Sequence, residues 1–222
     1  MRTAGVILAA GAASRFGYKP KCLQRFCGQT ILSHLIQSTQ AAGVEPILLV
    51  LGHYADEILA SVADLSDSIS ACLNTDPDRG QASSFRLGLE SVSNRAERVL
   101  VMLSDQPLLE ATHLRALLEI HDRVAREKDC VQPDNSARPG NPVVFSGQAV
   151  AEILNEPAPY SGKDWQRDHP DRLLKWQTQE LAYFADVDTP EDLSLLLARA
   201  SPARAAQSHT GPLPQIPHGL HL

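Results

Sequence analysis

The chain has 222 residues, 43% of them hydrophobic, and a formal net charge of -6 with an isoelectric point near 5.7. This length suits one globular domain with a substantial core. The acidic balance gives no general basic surface, so we expect neither nucleic acid nor a membrane as a partner. The four cysteines lack C-x-x-C spacing and the sequence has no apolar run of about 18 residues. We therefore expect a cytoplasmic protein with reduced thiols.

Apolar runs alternate with helical periodicity along the first two thirds of the chain. Strands are predicted at residues 3–10, 46–51, 69–73, 99–103, 142–145 and 181–185, and helices at 30–42, 55–63, 82–92, 110–126, 147–154 and 189–199. Because parallel strands need long, usually helical crossovers, the pattern predicts a three-layer α/β/α fold with a mixed, mostly parallel sheet. Residues 201–222 hold four prolines and few large apolar residues. We predict a domain over 1–200 and a disordered tail over 201–222.

The segment after the first predicted strand, residues 8–21, reads LAAGAASRFGYKPK. Its glycines fit neither the P-loop spacing nor the G-x-G-x-x-G dinucleotide fingerprint. Small residues let backbone N–H groups approach an anion closely, and Arg15 and Lys21 can neutralise phosphate charge. From these residues alone, a phosphate-binding loop and an ordinary surface loop both remain open.

Carboxylates follow two later segments. Asp105 ends the apolar strand of VLVMLSDQPLL, at the position where open α/β sheets bind ligands, and a carboxylate there suits Mg²⁺. A helix cap is the alternative for Asp105. Asp186 and Asp188 alternate in an extended stretch, so both point to one side, which suggests a cation. The TPED residues that follow are explained by a helix start.

The pattern LAAGxSxRFG followed by PK resembles the opening signature of the molybdenum cofactor cytidylyltransferases, the MobA-like NTP transferase family. SDQP at 104–107 resembles the family's metal-aspartate segment, and DVDTPED at 186–192 the segment that supplies a second ligand. The resemblance implies the nucleotide-diphospho-sugar transferase fold. It also implies Mg²⁺-dependent transfer of CMP from CTP, which LAAG accompanies, to a phosphorylated small-molecule acceptor such as molybdopterin, with a molybdoenzyme as a client.

The resemblance further implies a set of site residues. The catalytic residues are Arg15, Lys21 and Asp105, and the metal ligands are Asp105 and Asp188. The nucleotide-binding residues are Leu8, Ala9, Ala10, Gly11, Ser14, Arg15, Lys21, Asn74, Gly80, Ser83 and Ser84. The acceptor-binding residues are Gln106, Pro107, Gly140, Asn141 and Lys163. Helix N-termini present unpaired N–H groups that suit a polar ligand near residues 80–84, although a simple helix cap explains the two serines equally well.

One segment departs from the family pattern. Members that act on molybdopterin often carry a GDKGAR-like stretch where this chain has SGKDWQRD at 161–168, so the acceptor stays open. Trp165 is expected to lie at the surface, over the edge of the core, and stacking on a flat ring of the acceptor is the alternative. Two alternatives are a non-catalytic nucleotide- or cofactor-binding maturation protein and an oxidoreductase on the same scaffold. The presence of both Asp105 and Asp188 argues against the first, and the lack of G-x-G-x-x-G argues against the second.

Overall fold

The computed structural model describes residues 1–13, 16–17 and 19–200, without the side chains of residues 66 and 67. The strands in these ranges are β1 (Thr3–Ala9), β2 (Arg25–Phe26), β3 (Gln29–Thr30), β4 (Ile47–Leu51), β5 (Ile69–Leu73), β6 (Arg98–Leu103), β7 (Cys130–Asp134), β8 (Val143–Ser146) and β9 (Leu173–Gln177). Seven of the described strands form one sheet in the order β5-β4-β1-β6-β8-β7-β9, and β2 pairs with β3 separately. In the seven-stranded sheet, β8 runs antiparallel to β6 and β7, whereas the other ladders are parallel.

Helices cover both faces of this sheet. They are α1 (Ile31–Ala41), α2 (Ala55–Ser61), α3 (Gln81–Val92), α4 (Ala111–Val124), α5 (Gly147–Asn155), α6 (Gly162–Asp168) and α7 (Pro190–Ala200). Ile7 and Ala9 of β1 pack in one core cluster with α1, α2 and α4, while Val6 and Leu8 pack in another with α3, α5 and α6. Because both faces are buried, β1 is apolar after its first residue, Thr3. The predicted three-layer α/β/α fold is confirmed.

The predicted strand at 181–185 is wrong. This segment begins with a 3-10 turn, Leu181–Tyr183, in which the Glu180 side chain accepts a hydrogen bond from the backbone N–H of Ala182. Ala182 and Tyr183 are both buried in the core beside α1 and α4. The apolar pattern of this segment therefore reflects burial of a turn.

Two strands of the sheet, β7 and β9, are not predicted by the sequence pattern. β7 contains Pro133, which has no backbone N–H to donate, but its ladder with β8 covers only Cys130 and Val131. Pro133 thus lies beyond that ladder, where a missing donor is tolerated. β9 lies at the edge of the sheet and includes the exposed Lys175, so its apolar run is interrupted.

The expectation that Trp165 lies at the surface is also wrong. Trp165 is fully buried in α6, packs edge-on against Phe145 and donates from its ring N–H to Glu152 at 2.9 Å. Ser161 and Asp164 form a reciprocal capping box that begins this helix. Much of SGKDWQRD is therefore explained by helix formation and packing.

The predicted tail, residues 201–222, lies outside the described residues, so the boundary at residue 200 stays a prediction. Within the described ranges, none of the helices combines the length and the apolar character that crossing a bilayer requires.

Candidate nucleotide-binding site

A cavity of about 370 Å³ lies beside the carboxyl ends of β1, β4 and β6. These ends meet at one edge of the sheet, which is where open α/β sheets bind ligands. The cavity is lined by residues 8–13, 20–22, 53–54, 58, 77–78, 80–81, 84 and 103–105. A cavity of this size can hold a small molecule.

The loop after β1 contributes most of one wall. The predicted nucleotide-binding residues Leu8, Ala9, Ala10, Gly11 and Lys21 all line the cavity. Ser14 and Arg15 lie outside the described residues, so their roles stay predictions. The Tyr54 hydroxyl donates to the backbone carbonyl of Ala12 at 2.9 Å. This hydrogen bond ties the loop to the segment that follows β4.

Gly52, directly after β4, supports the same loop from the side. A Cβ atom at Gly52 would lie 2.6 Å from the carbonyl oxygen of Ala10 and 2.8 Å from its Cβ. Because these are backbone and near-backbone atoms, Gly52→Ala must push the loop. We expect this variant to weaken nucleotide binding roughly tenfold and to destabilise the fold by about 1–3 kcal/mol, measured by calorimetric titration and thermal melting.

Gly88→Ala is the matched control for Gly52→Ala. Its Cβ would lie 2.6 Å from Val6 Cγ1 and 3.0 Å from Val50 Cγ2, in the core and not against the loop. We expect a comparable loss of stability with nucleotide affinity retained in the folded fraction. Equal losses of affinity in the two variants would show that Gly52 has no specific effect on the loop.

Lys21 lies between the two predicted metal ligands. Its Nζ is 2.9 Å from Asp105 Oδ2 and 2.7 Å from Asp188 Oδ1. The three residues come from distant segments: the turn after the loop, the end of β6 and the stretch before α7. The Lys21 and Asp105 side chains are only 21% and 18% exposed. The prediction assigns Lys21 to phosphates, whereas the structure pairs it with both carboxylates.

Burial and charge act in opposite directions on this cluster. Burial lowers the pKa of Lys21, but the charges and hydrogen bonds of Asp105 and Asp188 outweigh it, so that pKa lies above its ordinary value. Burial raises the pKa of Asp105 above its ordinary value, although Lys21 counteracts the rise. Lys21 is therefore an ammonium at neutral pH, and its charge favours the ionised form of Asp105.

Asp186 and Asp192, two other acids of DVDTPED, have separate partners. Arg138 Nη1 lies 3.7 Å from Asp186 Oδ1, and Arg138 also donates to the backbone carbonyl of Phe184. Asp192 Oδ2 accepts from the backbone N–H groups of Thr189 at 2.7 Å and of Asp188 at 3.1 Å. The contacts of Asp192 confirm the predicted start of α7 and hold the backbone of Asp188 in place.

The turn before α3 is held by a side-chain network. Asn74 Nδ2 donates to the hydroxyls of Ser83 and Ser84, both at 2.9 Å. Gly80 precedes α3 with a φ of 92°, a conformation that favours glycine. Of these four predicted nucleotide-binding residues, Gly80 and Ser84 line the cavity. Asn74 and Ser83 connect the end of β5 to the first turn of α3.

A second cavity, of about 290 Å³, adjoins the first and shares Leu8, Gln81 and Leu103 with it. Two predicted acceptor-binding residues, Asn141 and Lys163, line this cavity. Its apolar wall includes Val101, Phe85, Val143 and Phe145, and its other polar groups include Gln132 and Gln166. The two cavities therefore bring a nucleotide-sized space and a mainly apolar space together across one wall.

The remaining predicted acceptor-binding residues lie in the protein interior. Gln106 is 1% exposed, and its side-chain amide lies 3.4 Å from the backbone carbonyls of both Asn141 and Tyr183. Gly140 packs so closely that a Cβ there would lie 2.7 Å from the Tyr183 carbonyl oxygen, and Pro107 is buried. These contacts join the end of β6 to the turn that carries Asn141.

The sequence reasoning missed the cavity wall after β4 and before α3. His53 Nε2 lies 3.1 Å from Asp78 Oδ1, and both residues line the first cavity together with Pro77 and Gln81. His53 could have been found, because it follows a predicted strand at the ligand-binding edge. Asp78 carries no comparable signal, since its position depends on how the turn before α3 folds.

The MobA-like NTP transferase domain model matches residues 5–173, which include the loop, Asp105 and the second cavity. The chain belongs to this family. Because MobA-like NTP transferases are nucleotidyltransferases, the match supports the prediction that this chain is a nucleotidyltransferase. A curated relative, the bifunctional protein GlmU of Pelotomaculum thermopropionicum, is 31% identical over 159 residues, which are 70% of this chain. The chain spans 34% of that relative's length.

Solved structures of other proteins have the same fold as this chain. Rv0371c from Mycobacterium tuberculosis H37Rv is 28% identical with a TM-score of 0.72, over 89% of this chain and 98% of that one. A complex of Rv0371c with manganese is 27% identical with a TM-score of 0.68, over 89% and 99% of the two chains. The 4-diphosphocytidyl-2C-methyl-D-erythritol synthase of Anaerococcus prevotii, at 15% identity and a TM-score of 0.68 over 89% and 95%, shares the fold.

Proposed function

We propose that this MobA-like NTP transferase moves CMP from CTP to a phosphorylated small-molecule acceptor and releases pyrophosphate. The observation that carries the proposal is the cluster of Lys21, Asp105 and Asp188 at the edge of the nucleotide-sized cavity. A basic side chain and two carboxylates from distant parts of the chain suit a triphosphate and its divalent cation. Arg15 joins this set by its place in the family motif.

The proposed reaction needs no nucleophilic side chain. A phosphate oxygen of the acceptor attacks the α-phosphorus of CTP, a new P–O bond forms, and the bond to pyrophosphate breaks. Lys21 and Arg15 neutralise charge on the triphosphate, and the cavity walls hold the attacking and leaving groups in line. Gly80 and Ser84, at the start of α3, and the backbone of residues 8–11 orient the nucleotide.

The residues present fit a divalent cation. Asp105 Oδ1 is buried and has no hydrogen-bond partner among the described residues, and the ammonium between Asp105 and Asp188 shows that one cation reaches both carboxylates. Nowhere in the described ranges do three or more His, Cys, Asp or Glu side chains form a complete metal-binding group. Phosphate oxygens and water would supply the other ligands. We propose Mg²⁺, which when bound offsets the charge that develops on the phosphate oxygens.

We propose that the second cavity takes the acceptor. Its aromatic and aliphatic wall suits a planar or apolar body, while Asn141, Gln132 and Gln166 offer hydrogen bonds and Lys163 offers a positive charge. Molybdopterin is the candidate that the family resemblance supplies, and a molybdoenzyme would be the client. The wall that the two cavities share supports this proposal, because an acceptor in the second cavity would lie next to a nucleotide in the first.

CTP should be preferred over GTP. This expectation rests on Ala10 of the LAAG motif, which is 6% exposed and lies in the cavity wall where LAGG members have a smaller residue. Purified protein is incubated with each nucleoside triphosphate, Mg²⁺ and a phosphorylated acceptor, and pyrophosphate release is measured. CTP should give the fastest release, and GTP should fail to displace bound CTP at equal concentration.

The same assay tests the enzyme class separately from the base preference. Release with GTP equal to that with CTP would overturn the base preference alone. Nucleotide binding without pyrophosphate release, across phosphorylated acceptors that include molybdopterin, would favour the maturation-protein alternative.

A further inference from the structure

The cluster of Lys21, Asp105 and Asp188 has one position for a cation and two cations that can take it. The Lys21 ammonium is within 2.9 Å of a carboxylate oxygen on each aspartate, and it donates a hydrogen bond to each. A divalent metal held by both carboxylates would share with the Lys21 ammonium the gap between Asp105 and Asp188, whichever carboxylate oxygens held it. Lys21 and the metal therefore compete for this position.

The position cannot easily be left without a positive charge. Asp105 is largely buried, and its carboxylate and that of Asp188 lie close enough to contact the same ammonium group. Arg138, 3.7 Å from Asp186, is directed to that residue and to the Phe184 carbonyl. Among the described basic groups, Lys21 is the one in direct contact with both Asp105 and Asp188.

We infer that Lys21 is an internal counter-cation that blocks divalent-metal binding until a nucleoside triphosphate draws it away. This inference rests on the proposed function, because the triphosphate is what attracts Lys21 from the carboxylates. When Lys21 moves to the phosphates, the carboxylates become available to the metal that accompanies the nucleotide. Metal and nucleotide then bind as a pair, and the protein holds little metal on its own.

The test measures Mn²⁺ binding to the full chain with no nucleotide and no acceptor present. The electron paramagnetic resonance signal of free Mn²⁺ reports the unbound ion as it is added in steps. Lys21→Met keeps the length of the side chain and removes its charge, so we expect its Mn²⁺ dissociation constant to be roughly tenfold or more below that of the parent protein. Lys21→Arg restores a cation and should bind Mn²⁺ as weakly as the parent.

Two further variants locate the effect. Lys19→Met removes an exposed charge two residues away and should leave Mn²⁺ binding unchanged. The double variant Lys21→Met with Asp105→Asn should lose the gain in affinity, because the gained ion sits on Asp105. An Mn²⁺ affinity of Lys21→Met equal to or weaker than that of the parent overturns the inference.

Folding of the neutral variant is part of the test. If Lys21→Met melts below the parent because its carboxylates repel each other, Mn²⁺ should restore its melting temperature, and failure to do so counts against the inference. The measurement involves no turnover. If the parent releases pyrophosphate but Lys21→Met shows no gain in Mn²⁺ affinity, the counter-cation role alone is refuted. If Lys21→Met gains Mn²⁺ affinity but the parent has no CTP-dependent turnover, the proposed function alone is refuted.

Discussion

Asp105→Asn should reduce pyrophosphate release by at least roughly 100-fold while the protein stays folded. The substitution keeps the shape of the side chain but removes its charge, and the new amide group places a donor where a cation and Lys21 need an acceptor. Folding should tolerate the change, because the buried carboxylate already has one oxygen without a hydrogen-bond partner among the described residues. Turnover with CTP and Mg²⁺ and the melting temperature are measured on the same preparation.

Two neighbouring aspartates provide graded comparisons for Asp105→Asn. Asp188→Asn should be milder, since Asp188 is 41% exposed and an amide oxygen can still coordinate a cation. Asp192→Asn should preserve turnover and shift the melting temperature slightly, because its side chain caps α7 and an amide oxygen still accepts hydrogen bonds. Near-parental turnover in Asp105→Asn would contradict the metal site and strengthen the maturation-protein alternative.

Lys21→Ala should weaken CTP binding in the presence of Mg²⁺ by roughly 10- to 150-fold. A charge-assisted hydrogen bond to a phosphate in a partly buried site contributes about 1.5–3 kcal/mol, and alanine removes it entirely. The Lys21 side chain is 21% exposed and lines the cavity, so water compensates poorly for its loss. Calorimetric titration of CTP into the parent and the variant measures the change.

Lys19→Ala is the matched control for Lys21→Ala. Lys19 is an exposed basic residue of the same loop and is absent from the cavity lining. Its removal changes the net charge equally, so any long-range electrostatic effect on CTP appears in both variants. Equal CTP affinity in Lys21→Ala and the parent would remove Lys21 from the phosphate site.

Much of the fold could be predicted because, from β1 to α4, the apolar pattern of the sequence matches the burial of the residues in the structure. β1, β4 and β6 are buried on both faces, so they stand out as continuous apolar runs, and α3 and α4 follow between polar turns. Asp105 was recognisable because a single carboxylate stands just beyond such a run, after Ser104. The loop motif supplied the family, which the match over residues 5–173 confirms.

The sequence by itself determined the order of the main strands and helices from β1 to α4, the family, and the edge of the sheet where we propose the nucleotide site, because these depend on neighbours along the chain. The tertiary structure decided the pairing of Lys21 with Asp105 and Asp188, across 84 and 167 residues. It also decided the burial of Trp165 and the turn at Leu181–Tyr183, where apolar residues serve packing. Charge pairs and core contacts form between residues that are close in space, and the periodicity of the sequence does not show which distant residues come together.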